Sequence, residues 1–470
     1  MTEQPTQTKK SPQQEAPQKH AAGAVLDDGT IAEIVYSPAE DRTRFAVWRQ
    51  DSGGCPWTLE TSLGDGDNRI VPFSARNNLI HHGAILLPEQ PAEYGSSEDL
   101  AAALQAYIHR YVEVSPAFER LASYYVLLSW LYDAFAELPY LRVRGDYGSG
   151  KTRFLLVVGS VCYRPFFASG ASTISPIFHT LDAFRGTLVM DEADFRFTDE
   201  KAEITKIFNN GNVKGMPVLR TVIGTKGEYD PRAFQVFGPK LIATRGYYED
   251  RALESRFLTE DMGGQRLRDD IPISLPRTQR EEAAQLRNQL LLFRFRMLGS
   301  VQITSEPADT AIEPRLNQII APLLSIAPGA AAREELRSIA RRHQDEMVAE
   351  RAMEIEAQLL EVVWELAGAA GGYRETLPLK DIVAGYLRRF GQSADRVTSR
   401  SIGTTLRRSL GFRTRKSHGN FAVVLPDPER LERLCRKYGV DTEPYRTGDR
   451  VDSVDRVEMG DMLPGPAGAP

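Results

Sequence analysis

The chain has 470 residues, 42% apolar and 26% charged with a net charge of −5, the composition of an ordinary globular protein with room for several domains. Its three cysteines, Cys55, Cys162 and Cys435, lie far apart and are odd in number, which excludes a disulfide framework or a zinc spacing and fits a reducing cytoplasm. No run of about 18 apolar residues occurs, so no membrane span is expected, and the opening MTEQPTQTKKSPQQEAPQKH lacks the apolar stretch of a secretory leader.

Residues 1–24, rich in Gln, Pro and Lys, and the tail from 443 to 470 carry too few large apolar side chains to offset the entropy of ordering, and both are expected to be disordered. Between 25 and 96, TIAEIVY, RFAVWR and GAILLP are β-branched or aromatic runs split by turn signals, which predicts a small β-rich domain for contacts or assembly. Residues 97–138 change to helical period. SSEDLAAALQAYIHRYV opens on a Ser-x-x-Asp start of capping-box type, and AFERLASYYVLLSWLYDAF is apolar on nearly every side, as a buried helix is. From 139 to 262 strands and helices alternate, which predicts an α/β core with a parallel sheet and helices on both faces. A hairpin is expected at GTKGEYD. Residues 263–373 read as a helical lid or linker, and 374–442 as a smaller mixed module.

Gly145-Asp146-Tyr147-Gly148-Ser149-Gly150-Lys151-Thr152 fits the phosphate-loop pattern G-x-x-x-x-G-K-[ST], between an apolar strand and an apolar helix. The glycines let backbone N–H groups approach phosphate oxygens, and the helix starting near Lys151 adds the positive end of its dipole. Lys151 is placed as a charge on the β and γ phosphates of ATP, and Thr152 offers its hydroxyl to Mg2+. The bland alternative is a plain glycine turn.

A second signal is GTLVMDEADF, an apolar strand ending in Asp191, a candidate for holding Mg2+, and Glu192, a candidate for polarising the attacking water. The extra strand PFFASG places the chain with ATPases that carry a catalytic glutamate, and the absence of Asn-Lys-x-Asp favours ATP over GTP. A third signal is FGPKLIATRGYYEDRALESRFL. Its strand ends in Thr244, placed to bond the γ-phosphate or the water, and Arg256 follows where a neighbouring subunit's nucleotide is within reach. Arg251 is the rival on the same segment.

On GDYGSGKT, TLVMDEAD, the polar strand end at Thr244 and ALESRF, residues 139–260 resemble AAA+ ATPases. Within these they resemble the helicase-like group that includes superfamily-3 helicases and minichromosome maintenance proteins, and also uncharacterised ATPases of phages and mobile elements. The resemblance implies a homo-oligomeric ring, usually a hexamer, with ATP between subunits. It also implies pore-facing loops between Glu192 and Thr244, for which Lys214 in NGNVKG and Lys226 in GTKGE are the basic candidates. Many such helicases carry Asn where Thr244 stands.

The C-terminal module reads helix, helix, hairpin, helix and looks like a winged helix-turn-helix domain. From Leu377 to Lys437, fourteen Lys and Arg stand against five Asp and Glu, a net of +9 in a chain of −5, which is an electrostatic footprint for nucleic acid. In that fold Arg400, Thr404 and Arg407 face the major groove, and the wing brings Arg413, Arg415, Lys416 and His418 to the backbone or minor groove. Protein contact is the alternative use of such a domain. The sequence thus points to a cytoplasmic, DNA-binding ATPase, either a ring-forming helicase in the replication of a phage or mobile element or an ATP-switched initiator, loader or transposition regulator that does not unwind DNA.

Overall fold

The structure is a computed structural model that describes residues 19–50, 56–64, 69–193, 199–223, 229–248, 250–263, 268–303, 308–352, 355–368, 373–390, 398–417 and 420–442. The chain divides into two compact units, Met1–Gln344 and Asp345–Pro470.

The first unit begins with β1 (Lys19–Ala21), β2 (Gly23–Val25), β3 (Ile31–Ser37), β4 (Arg42–Trp48), β5 (Trp57–Glu60), β6 (Ile70–Pro72) and the short helix α1 (Asn78–His81). Strands β2 to β5 form an antiparallel meander, and β1 pairs in parallel with β6. Residues 19–24 therefore include strand where the sequence suggests a disordered tail. The pairing is made by backbone groups, which composition does not register, and His20 stacks on Phe73. The apolar residues of β3 and β4 share one core with those of the parallel sheet that follows and its helices, including Phe45 and Val47 beside Phe166, Ile177 and Phe178.

Glu33 of β3 is buried in that block and accepts hydrogen bonds from Tyr163, Arg164 and Arg294. Arg294 also binds the Asp133 carboxylate at 2.6 and 2.8 Å. Charges this deep persist only when paired and hydrogen-bonded, because desolvation costs several kcal/mol per ion, roughly. Segment 84–86 runs against the strand Phe166–Ser169: Leu86 donates to the Pro165 carbonyl, and Phe167 donates to that of Ala84.

Helices α2 (Ser97–Tyr111) and α3 (Pro116–Leu131) follow. The capping box is present, with Ser96 and Asp99 satisfying each other's backbone N–H, and α3 is buried along almost its whole length. Then come β7 (Tyr140–Arg144), α4 (Lys151–Gly159), β8 (Phe166–Ser169), α5 (Ile174–Phe184), β9 (Leu188–Asp191), α6 (Asp199–Asn210), β10 (Val218–Ile223), β11 (Tyr229–Phe234), β12 (Lys240–Thr244), α7 (Arg251–Glu254) and β13 (Phe257–Asp261). Five of these strands make one parallel sheet in the order β13-β7-β12-β9-β8. The path leaves β7 for the far edge and returns beside it, so the strand order reverses at β7. A crevice opens outside the carboxyl ends of the strands at such a point. Strands β10 and β11 form the expected antiparallel hairpin, paired from Val218↔Phe234 to Ile223↔Tyr229, and Lys226 at its tip lies outside the described residues.

Helices α8 (Arg277–Met297), α9 (Pro314–Ile326) and α10 (Gly329–Ala352) follow, and no helix among the described residues is long and apolar enough to cross a membrane. In the second unit α11 (Ile355–Gly368), β14 (Thr376–Pro378), α12 (Leu379–Phe390), α13 (Ser399–Arg408), β15 (Arg413–Ser417), β16 (Asn420–Val424) and α14 (Pro428–Lys437) enclose a core of their own. Its sheet is antiparallel in the order β14-β16-β15, so β15 is an edge strand. Helix α11 supplies Leu359, Leu360 and Val363 to this core although it precedes residue 374.

Candidate active site

The eight residues from Gly145 to Thr152 leave the carboxyl end of β7 and enter α4. A Cβ at Gly145 would lie 2.4 Å from the Met262 carbonyl oxygen, so the loop closes on β13's exit only with glycine there. Gly150 has φ +91° and is the N-cap of α4, with no side chain capping the first turn. The leading N–H groups of α4 are thus left to an external acceptor, and with the helix dipole they form an anion-binding end. The Lys151 ammonium donates to the Gly145 and Asp146 carbonyls at 2.6 and 2.7 Å, which holds it over the loop.

Register brings the other groups to the same end of the sheet. The Thr152 hydroxyl donates to Asp191 Oδ2 at 2.6 Å, joining α4 to the tip of β9. Thr244 ends β12 between them, its carbonyl accepting from Gly145 N at 3.2 Å. Its Oγ1 is buried and has no hydrogen-bond partner among the described residues. A hydroxyl kept in that state costs about 1–3 kcal/mol, which is consistent with a group waiting for a ligand oxygen or water.

Glu192 has φ +52°, a conformation uncommon for a side chain with a Cβ. Its N–H donates to Asp191 Oδ1 at 2.8 Å, which fixes the Asp191 carboxylate at the strand end. Glu192 Oε1 lies 3.6 Å from the Arg245 guanidinium, which stacks 3.9 Å from the centre of the Tyr147 ring. Arg245 does not stand out in the sequence, because nothing local distinguishes it from any arginine after a strand. The loop lines a cleft of about 740 Å3 that continues past Arg153 to Glu113, Ser115, Glu260 and Ile273. Glu260 accepts from the Ser115 N–H and hydroxyl at 2.7 and 3.0 Å. The residues present thus fit a magnesium-bound nucleoside triphosphate: N–H groups and Lys151 for phosphates, and Thr152 with Asp191 for the hard cation, which takes few protein ligands.

Arg256 is at the other end of the sheet. Its carbonyl accepts from Tyr140 N at the start of β7, so the length of a strand separates it from its own phosphate loop. The guanidinium binds Asn212 Oδ1 at 2.9 Å and the Ala252 carbonyl, and partial burial, then Arg315, lowers its pKa from the ordinary value. Arg251 is exposed at the start of α7. Arg142 of β7 holds that segment through Glu254 at 2.9 Å. Lys214 is exposed and donates to the Asp133 carbonyl at 2.9 Å within the same chain.

On α13, Ile402 and Leu406 face the core, while Arg400 and Arg407 are exposed. The Thr404 hydroxyl donates to the Arg400 carbonyl at 2.9 Å, and Arg407 Nε to that of Gly403 at 2.9 Å. Thr404 is therefore left as an acceptor, and Arg407 with its terminal nitrogens. Arg413, Arg415 and Lys416 are exposed on β15. His418 lies outside the described residues.

No family model and no curated protein matches the sequence. Among solved structures, the A-form apo C-terminal region of NrS-1 is similar over 84% of this chain and 96% of that chain, at 9% identity and a TM-score of 0.33. The Cch of SCCmec type IV, described as an active helicase, is similar over 89% of this chain and 80% of that one, at 12% identity and a TM-score of 0.37. The JCV helicase is similar over 56% and 63%, at 15% identity and a TM-score of 0.24. Scores this low carry nothing about activity.

Proposed function

We propose that the chain is an ATP-hydrolysing, DNA-binding ATPase of the AAA+ kind that works as a ring, usually hexameric, as a helicase in the replication of a phage or mobile element. The observation that carries the ATPase reading is the 2.6 Å bond between Thr152 and Asp191, beside Lys151 and Glu192. In this reading the N–H groups of Gly148 to Thr152 and the Lys151 ammonium bind the phosphates. Mg2+ supplies charge neutralisation of the β and γ phosphates when bound. Thr152 and Asp191 hold it, and Glu192 orients a water and takes its proton as that water's oxygen attacks the γ-phosphorus and the bond to the bridging oxygen breaks. Thr244 Oγ1 donates to the γ-phosphate or the water. Arg245 holds the Glu192 carboxylate to one side until the nucleotide draws the guanidinium away. Arg256, too far from its own loop, serves the nucleotide of a neighbouring subunit.

The Arg256 role is tested by mixing R256A with K151A. Each alone is expected to be inactive, and the mixture to regain hydrolysis where an intact finger meets an intact loop. Co-assembly without any regain rules out action in trans.

The second unit is proposed as a winged helix whose α13 enters the major groove, with Arg400 and Arg407 toward bases and Arg413, Arg415 and Lys416 toward backbone. The tie between Lys214 and Asp133 favours a second reading, an ATP-switched initiator that grips no strand in a pore. Hydrolysis rates with and without single- and double-stranded DNA, alongside unwinding of a forked duplex, separate the two. DNA-stimulated hydrolysis without strand separation supports the initiator.

A further inference from the structure

Between the β15–β16 hairpin and α14 lies a cleft of about 660 Å3. Its floor is apolar, including Leu410, Phe412, Leu425 and Pro426, and its rim carries Arg413 on the hairpin side and Arg430, Arg433 and Lys437 on the helix. No carboxylate is among the residues that line it. The helix explains the segregation. In PERLERLCRK, Leu431 and Cys435 turn into the core, and positions 430, 433 and 437 recur at helical spacing on one outward face. Of the acidic residues of the helix, Glu432 pairs with Arg436 away from the rim, and Glu429 stands beside Arg433 at 3.8 Å, a loose pair of two largely exposed side chains. The four rim cations are exposed, and a rim of one sign repels itself until an anion lies across it.

We infer that this cleft is a groove for single-stranded nucleic acid, with phosphates on Arg413, Arg430, Arg433 and Lys437 and sugar and base faces on the half-buried Val424, Pro426 and Leu434 of its floor. The inference rests on the nucleic-acid reading of this unit but concerns a different surface from the outward face of α13. A duplex turns its bases inward and would touch only the rim, whereas an extended strand has faces free to lie on an apolar floor. Phe412 is buried, so the floor offers no exposed ring for stacking and the groove follows backbone with little base preference.

The test uses the full chain, a labelled oligothymidylate and a labelled duplex. The double variant R430E/R433E, and R430Q/R433Q in case charge reversal disturbs folding, should keep the unfolding midpoint. Both should bind the oligothymidylate roughly tenfold or more weakly, with the slope of log affinity against log salt reduced by about 0.7 for each phosphate no longer neutralised. Duplex affinity should change far less, and R400A/R407A should show the reverse pattern. Unchanged single-strand affinity and slope, or equal weakening on both DNAs, overturns the groove. Polyglutamate that binds as tightly as the oligonucleotide and is released in the same variants overturns its assignment to nucleic acid. If R400A/R407A weakens duplex binding while the groove variants change nothing, only the groove falls. If neither set alters any DNA binding, the nucleic-acid reading of the unit falls with it.

Discussion

In the first unit the arginines around the sheet are buried and met by partners: Arg142 by Glu254, Arg144 by Asp261, and Arg164 and Arg294 by Glu33. Even Lys240, fully buried with its pKa drawn down to about 7 by burial, lies on the Val236, Gly238 and Gly211 carbonyls at 2.9, 3.0 and 3.3 Å. In the second unit Arg400, Arg413, Arg430 and Lys437 are exposed, and no ion pair meets them among the described residues. The same residue types thus serve two purposes. Where desolvation is costly, a cation is fixed by its partners and fixes the strands around it. Where water solvates it, the donors remain free for phosphate. A count of charges along the sequence separates neither case from the other; burial does.

That contrast can be broken at four points, taken from the largest effect down. Glu192→Gln should lower hydrolysis by about two orders of magnitude or more while nucleotide still binds, measured by phosphate release and by equilibrium binding. Near-normal turnover removes Glu192 from the chemistry. Glu33→Gln leaves the buried Arg164 without its counter-charge and Arg294 with Asp133 alone, and should destabilise the first unit by about 3–5 kcal/mol in denaturant unfolding. A loss under 1 kcal/mol, roughly, would show that water or rearrangement already serves those guanidinium groups. Arg400→Ala should leave the unfolding midpoint within about 0.5 kcal/mol of the parent, yet lose about 1–3 kcal/mol of discrimination between DNA sequences. Equal weakening on every sequence would move Arg400 from bases to backbone.

The effect that is smallest at neutral pH, and grows only on acidification, concerns His343. Burial, followed by the Arg142 guanidinium, draws its pKa down to about 4 from 6.5, against the weaker pull of the Phe257 backbone and Glu254. The fold therefore favours the neutral ring, and the unfolded chain takes up the proton first. Stability from this group is present above pH 6.5 and is lost as pH falls toward about 4. Denaturant midpoints measured across that window should fall less steeply in His343→Gln. An unchanged slope would assign the acid limb to carboxylates alone.

That the glycine loop 145–152 joins a strand to a helix, and that Asp191 and Glu192 stand at a strand end, was legible because these residues are consecutive and flanked by apolar runs. The parallel sheet was legible from alternation, and the hairpin from its glycine turn. Arg245, Ser115 and Glu260 were not, since sheet register and chain return bring them to the cleft from separate segments. The α14 face was hidden for another reason. Its cations alternate with glutamates along the chain, and only the helical period sorts them. The strands at Lys19–Ala21 and Gly23–Val25 carry little apolar content and pair through backbone amides that composition does not register.

The contacts of segment 84–86 with β8 have a consequence for the solubility of shortened chains. Strand β8 is an edge of the parallel sheet, and its free side meets the Ile85 backbone through a bridge to Phe166. The N-terminal block therefore acts as an edge guard, taking hydrogen bonds that would otherwise recruit a strand from another molecule. A chain cut to begin after that block keeps every residue proposed for hydrolysis but bares the edge of an apolar strand, including the Phe167 amide, and it would self-associate through the sheet margin.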